Sequence, residues 1–131
     1  MGDDITDRLL LILAALGLVP VALSYGVMPS ASVTYLMGFP VEGTNHTHVF
    51  RAIMGLYLAN AAFWLCAAVT PHLRRPALWV LFLFMAGLGA GRVLSVLVDG
   101  IPGAVLLLYL FAELFFAVLA IGCLRKNEKT E

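Results

Sequence analysis

Apolar residues fill four long blocks of this chain, near Arg8–Val27, Phe50–Val69, Ala77–Val98 and Gly103–Leu124, with polar residues gathered between them. A helix needs about 20 residues to cross a hydrocarbon core about 30 Å thick. Each block has that length, so the pattern predicts four membrane-spanning helices. Short connections force successive helices to alternate in direction. The expected fold is all-α: an integral membrane four-helix bundle of antiparallel up-down helices, one transmembrane domain over residues 1–131.

The punctuation supports these divisions. Pro29 to His48 is the only long connection, and Met37-Gly38-Phe39-Pro40 within it is expected to dip into the membrane interface. His72-Leu73-Arg74-Arg75-Pro76 reads as a short basic turn. Asp99-Gly100-Ile101-Pro102 joins a turn signal to a proline suited to the start of the last helix. Pro20 falls inside the first helix and should kink it, because it lacks an N–H and crowds the preceding turn.

Composition places the chain in a bilayer. It is 62% hydrophobic and 12% charged, with a mean hydropathy of +0.98. A soluble domain is about half apolar and a quarter charged, so this chain could not cover a water-facing surface. Eight basic residues balance eight acidic ones without a basic face, which argues against nucleic acid as a partner. Membrane lipid is the partner that composition implies. Arg8, Arg74, Arg75, Arg125, Lys126 and Lys129 fall on the side of the termini and second connection, against Arg51 alone on the other. That bias places both termini in the cytoplasm, with the chain a multi-pass protein of a bacterial inner membrane. The start holds Asp3, Asp4 and Asp7, unlike a basic secretory leader. Ala22-Leu23-Ser24 as a cleavage site, Met1-Gly2 with Thr6 as an acylation signal, and Asn45-His46-Thr47 as a sequon are read as chance matches.

Against this apolar background, a few polar groups stand out. Arg92 follows Gly87-Leu88-Gly89-Ala90-Gly91 within the third block, where a charge costs about 2.5–3.5 kcal/mol unless it finds a partner or water. Glu113 and Asn60 both lie about 15 Å below the outer helix ends, and Arg92 about 9 Å below, with a long side chain. The tight turn between the third and fourth helices makes them neighbours, so Arg92 can meet Glu113, or pair with Asp99 one level higher. Arg92, Ser95 and Asp99 recur at i, i+3, i+7, as do Tyr57, Asn60 and Trp64 on the second helix, each set on one face. Arg51 and Glu42 lie near the outer mouth. Gly87, Gly91 and Ser95 form a small-residue stripe that reads as close packing against another helix, in the same chain or in a homo-oligomer.

No cofactor motif, phosphate loop or catalytic triad spacing is present, and nothing argues for an enzyme. His46 and His48 lack a third spaced ligand, so no metal site is expected. Cys66 and Cys123 sit singly in apolar runs and read as small core residues.

The segment His48-Val49-Phe50-Arg51-Ala52-Ile53-Met54-Gly55-Leu56-Tyr57-Leu58, together with Gly91-Arg92-Val93-Leu94-Ser95, Asp99-Gly100-Ile101-Pro102 and Glu113, resembles a family of small bacterial four-span membrane proteins known only as a domain of unknown function. The resemblance covers nearly the whole chain. It implies that Arg51, Gly55, Arg92, Ser95, Asp99 and Glu113 form the family's polar pattern, and it implies no activity.

Two functions fit this reading. In the first, a polar pocket between the helices binds a lipid-like or small amphipathic ligand, or a partner membrane protein, with Arg92 and Glu113 at its centre. Tyr57, Asn60, Trp64, Tyr109, Ser95, Asp99 and Arg51 complete that candidate site. In the second, the chain is an oligomeric transporter or channel subunit coupled to protonation of Glu113. Small multidrug exporters share this size and span count but carry their working carboxylate in the first helix. Here that helix has none past Asp7.

Overall fold

The computed structural model describes residues 2–128, with side chains from Asp4 onward. Five helices follow one another: α1 (Gly2–Gly26), α2 (Pro29–Met37), α3 (Gly43–Val69), α4 (Pro71–Asp99) and α5 (Ala104–Glu128). Four of them, all but α2, are long and apolar enough to cross a membrane. The protein is an all-helical four-span membrane protein, and no strand occurs among the described residues. Lys129 lies outside the described residues.

Two connections differ from the sequence reading. The long connection contains α2, a short helix with Pro29 in its first turn. It ends on Gly38 at φ 77°, whose N–H closes on the Thr34 carbonyl at 3.0 Å. Glycine suits that left-handed stop, because a side chain there would be strained. The basic segment is no turn at all. Thr70 alone links α3 to α4, with Pro71 opening α4, so His72 to Pro76 are helical. Apolar pattern marks where the lipid-facing stretch begins. Helices continue past it for as long as their backbone bonds can close, which is why α3, α4 and α5 all extend beyond the apolar blocks.

The long helices form a ring in the order α1, α3, α4, α5. The most extensive packing is α1 on α3 and α4 on α5, and the closing seam between α5 and α1 is sparse. Alanines explain the first pairing: Ala14, Ala15 and Ala22 of α1 and Ala61, Ala67 and Ala68 of α3 are all buried. Small side chains let backbones approach and gain dispersion contacts, the main attraction left between helices in lipid. Trp64, Leu11, Leu78, Leu81 and Leu124 fill the remaining interior. Along the bundle runs a chain of aromatic contacts: Phe39 to Phe50 at 6.2 Å, Phe50 to Tyr25 at 5.9 Å, and Tyr25 to Tyr57 at 5.7 Å. It continues from Tyr57 to Phe84 at 5.2 Å and from Phe84 to Trp64 at 5.6 Å. Cys66, expected in the core, is exposed instead, and Cys123 is partly buried.

The glycine stripe does not pack against a helix of the same chain. Gly87, Gly91 and Ser95 are exposed, and a Cβ at either glycine would meet nothing within 4 Å. The close approaches are at Gly26, where a Cβ would lie 2.5 Å from Met54 Cβ, and at Gly89, 2.8 Å from Leu114 Cδ2. Gly89 sits between the stripe glycines in sequence but points to the opposite side. Denaturant titration in detergent should therefore separate these positions. Gly26→Ala is expected to lose about 1–3 kcal/mol from overpacking. Gly91→Ala should be neutral or gain up to about 1 kcal/mol from helix propensity.

Candidate functional site

Helix geometry puts Arg92 and Glu113 within reach of each other. Arg92 stands two turns before the end of α4, and Glu113 between two and three turns after the start of α5. Side chains on a helix lean toward its N-terminus. Arg92 therefore leans toward mid-membrane, to Glu113, and away from Asp99. Its Nε lies 2.7 Å from Glu113 Oε2 and donates also toward Oε1 at 3.0 Å. The glutamate side chain is only 10% exposed and the arginine 22%. A charge-assisted bond at this length between groups kept from water is among the stronger polar contacts a protein makes.

Two tyrosines complete the charge environment. The guanidinium carbon of Arg92 sits 5.7 Å from the Tyr109 ring centroid, so the ring face receives the cation. The Tyr25 hydroxyl, delivered from the last turn of α1, interacts with the same guanidinium. Tyr25 is buried, and its ring is held edge-on by Tyr57 and stacked on Phe50. Sequence reasoning did not single out Tyr25. The available signal was a hydroxyl-bearing ring at the α2 end of a span, level with the arginine's reach.

Glu113 also forms part of the wall of a cavity of about 100 Å³. Gly17, Leu18 and Val21 of α1 form one side, and Tyr109, Ala112 and Phe116 of α5 the other. Tyr57, Met85 and Leu88 form its floor. Gly17 and Ala112, both within their helices rather than at the ends, are exposed, so the cavity lies at the α1–α5 seam on the side of the bundle. No side chain at Gly17 covers it there.

Of the expected site residues, Glu113, Tyr57 and Tyr109 line this cavity; Arg92 does not line it and meets it only through its bond to Glu113, and the others lie elsewhere. Trp64 is fully buried deeper in the core, its indole N–H without a partner among the described residues. Asn60 donates to the Leu56 carbonyl of its own helix at 2.9 Å. At about 100° per residue, Asn60 stands about 60° round the helix from Tyr57 and about 40° from Trp64, half-buried at the edge of the interior. Ser95 and Asp99 are exposed and bond each other at 2.8 Å. Arg51 donates from Nε to the Gly26 carbonyl at 3.3 Å, capping the end of α1 on a different side of the bundle. His46 Nδ1 accepts from the Glu42 N–H at 3.3 Å, and among the described residues no three metal-ligating side chains converge.

A second polar cluster lies at the opposite end. Arg74, buried in the first turns of α4, pairs with Asp4 and also donates to the Ala68 carbonyl at 3.3 Å. Buried Asp7 accepts from Asn127 at 2.8 Å, and Arg75 approaches Glu128 at 3.6 Å. These contacts tie the ends of α1 and α5 to the α3–α4 corner.

A comparison with family profiles places the molecule. The chain belongs to the family described as a domain of unknown function, DUF4345. The profile matches residues 6–124, a stretch that holds all of the Arg92–Glu113 site and the cavity, while Asp4, Asn127 and Glu128 fall outside it. No curated protein and no solved structure matches the chain.

Removing one member of a buried ion pair strands the other charge, whereas replacing both with apolar groups removes the cost. Arg92→Met alone and Glu113→Leu alone should each lower stability by about 3 kcal/mol in detergent unfolding titrations. The double variant should recover most of that loss, giving a large coupling in the double-mutant cycle.

Proposed function

We propose that this protein binds the polar end of a lipid-like molecule at Arg92, with the first few carbons of its chain entering the cavity between α1 and α5 and the rest lying along the seam. The observation that carries this reading is the double position of Glu113, which both pairs with Arg92 and lines an apolar cavity at the α1–α5 seam. A ligand can enter sideways from the bilayer without leaving it. The apolar walls fit a hydrocarbon segment, and the polar corner selects what is attached to it. Because the glutamate already balances the arginine, a charged ligand would leave an unmatched charge away from water. An uncharged acceptor, such as an ester or ketone carbonyl, suits the remaining guanidinium and tyrosine donors.

In this reading the protein is a non-enzymatic binding or accessory protein of a bacterial inner membrane, with both termini cytoplasmic, as the basic residues suggest. A membrane-impermeant thiol reagent added from outside should label Asn45→Cys and spare Asn127→Cys, in a background lacking Cys66 and Cys123. The reverse pattern would invert the orientation.

Two probes differing in one carbonyl test the ligand class. Native mass spectrometry from a mild detergent should show 1-monopalmitoylglycerol retained about tenfold better than 1-O-hexadecylglycerol, its ether counterpart. Arg92→Gln should erase the difference, and Gly17→Leu should reduce retention of both by filling the cavity. Equal retention of ester and ether by the unmodified protein would refute the carbonyl role. The competing transporter reading predicts proton flux in vesicles that Glu113→Gln abolishes.

A further inference from the structure

A separate polar pocket lies at the α2 end, with a volume of about 520 Å³. Ser30 comes from the first turn of α2, Gly43 and Thr44 from the start of α3, and Thr47, His48 and Arg51 from the next two turns. The spacing 44, 47/48, 51 places these α3 side chains on one face. Three hydroxyls, an imidazole and a guanidinium therefore surround one space, and no carboxylate lines it. Arg51 is braced by its Nε bond to the Gly26 carbonyl while still lining the pocket. α3 also begins without a side-chain cap, so its first backbone N–H groups and the positive end of its dipole face the same region. Ser30, Thr44, His48 and Arg51 are exposed, so the pocket is an open one, and Glu42, the equally exposed acid just before α3, does not line it.

The depth of the pocket narrows what can occupy it. The apolar block of α3 begins at Phe50, next to Arg51, so the pocket stands where hydrocarbon gives way to headgroups. In the same α1–α3 connection, Tyr35 is 88% exposed, Met28 63% and Phe39 41%. Large apolar and aromatic side chains presented this way sit favourably in the interfacial layer of a bilayer. A donor-rich space at that level matches an anion with several acceptor oxygens, and guanidinium and hydroxyl groups suit the tetrahedral phosphate oxyanion in particular.

We propose that this pocket, built by Arg51, His48, Thr44, Thr47 and Ser30, binds a phosphate group at the membrane surface. The site is distinct from the cavity beside Glu113 and does not depend on the function proposed for it. The phosphate comes either from a phospholipid headgroup or from the aqueous phase, and two arms of one experiment separate these sources.

In the first arm, the full chain in an uncharged maltoside detergent is incubated with dipalmitoyl phosphatidylglycerol or with a galactosyl diacylglycerol bearing the same chains, and retention is read by native mass spectrometry. The phospholipid should be retained about tenfold better. Arg51→Gln and the double variant Thr44→Val/Thr47→Val should each remove most of that preference, while Arg125→Gln, which removes a cation from the other end, should not. The double variant leaves the Arg51–Gly26 bond intact, so it decides the matter should Arg51→Gln fail to fold. In the second arm, inorganic phosphate is titrated and its phosphorus resonance followed. Broadening by the unmodified protein, lost in the double variant, assigns the site to free phosphate as well. No broadening together with phospholipid preference assigns it to the headgroup alone. Equal retention of both lipids with no broadening overturns the proposal, as does a preference that survives in the double variant.

Discussion

A charge held away from water must be answered where it stands, and the Arg92–Glu113 pair is how this bundle answers it. Neither residue could face hydrocarbon alone without a cost of several kcal/mol. Each is tolerable only while the other is 2.7 Å away. That requirement sets the register of α4 against α5, because sliding either helix by one turn, about 5.4 Å, would separate the charges. It also sets rotation, since both side chains must turn from lipid toward the ring interior. Tyr109 and Tyr25 then gather around the guanidinium, and Tyr25 brings the end of α1 into the same arrangement. Three of the four crossing helices thus meet around one cation.

The two ends of the bundle are secured differently. At the end bearing the termini, Arg74 with Asp4 and Asp7 with Asn127 link α4, α1 and α5 through side chains. At the α2 end, backbone carbonyls do more of the joining: Arg51 holds the Gly26 carbonyl, and the Ser32 hydroxyl reaches the Ser24 carbonyl. These carbonyls are the last of α1, which its own helix cannot satisfy. Between the ends there is little polar contact besides the central pair, and packing of alanines and aromatic rings supplies the cohesion.

The same arrangement explains why the cavity lies where it does. α3 and α4 are joined by a single residue, and α4 and α5 by a short turn, so both pairs are held closely. α1 and α3 pack most extensively, and both carry buried alanines. The seam between α5 and α1 closes the ring without a covalent connection and with a glycine and an alanine at its surface. It is the side where least holds the helices together, and the side on which the cavity beside Glu113 lies.

Hydrophobic run lengths alone determined four crossing helices and an all-helical bundle, because a bilayer admits only helices and closed barrels, and continuous apolar runs of about 20 residues lack a barrel's alternation. The Arg92–Glu113 contact was also legible, since a short turn between neighbouring helices fixes which depths can meet. Azimuth was not legible. Positions i and i+3 lie about 60° apart round the helix, and a bundle with no water-facing side has little polar periodicity to show which way each helix turns. Asn60 accordingly fell at the edge of the interior and Ser95 and the Gly87–Gly91 stripe outside it, while Gly26, Gly89 and Tyr25 fell within it. Contacts between elements distant in the chain, such as Asp7 with Asn127 or Arg51 with Gly26, were decided only by tertiary packing, because no local spacing records which helix ends will stand side by side.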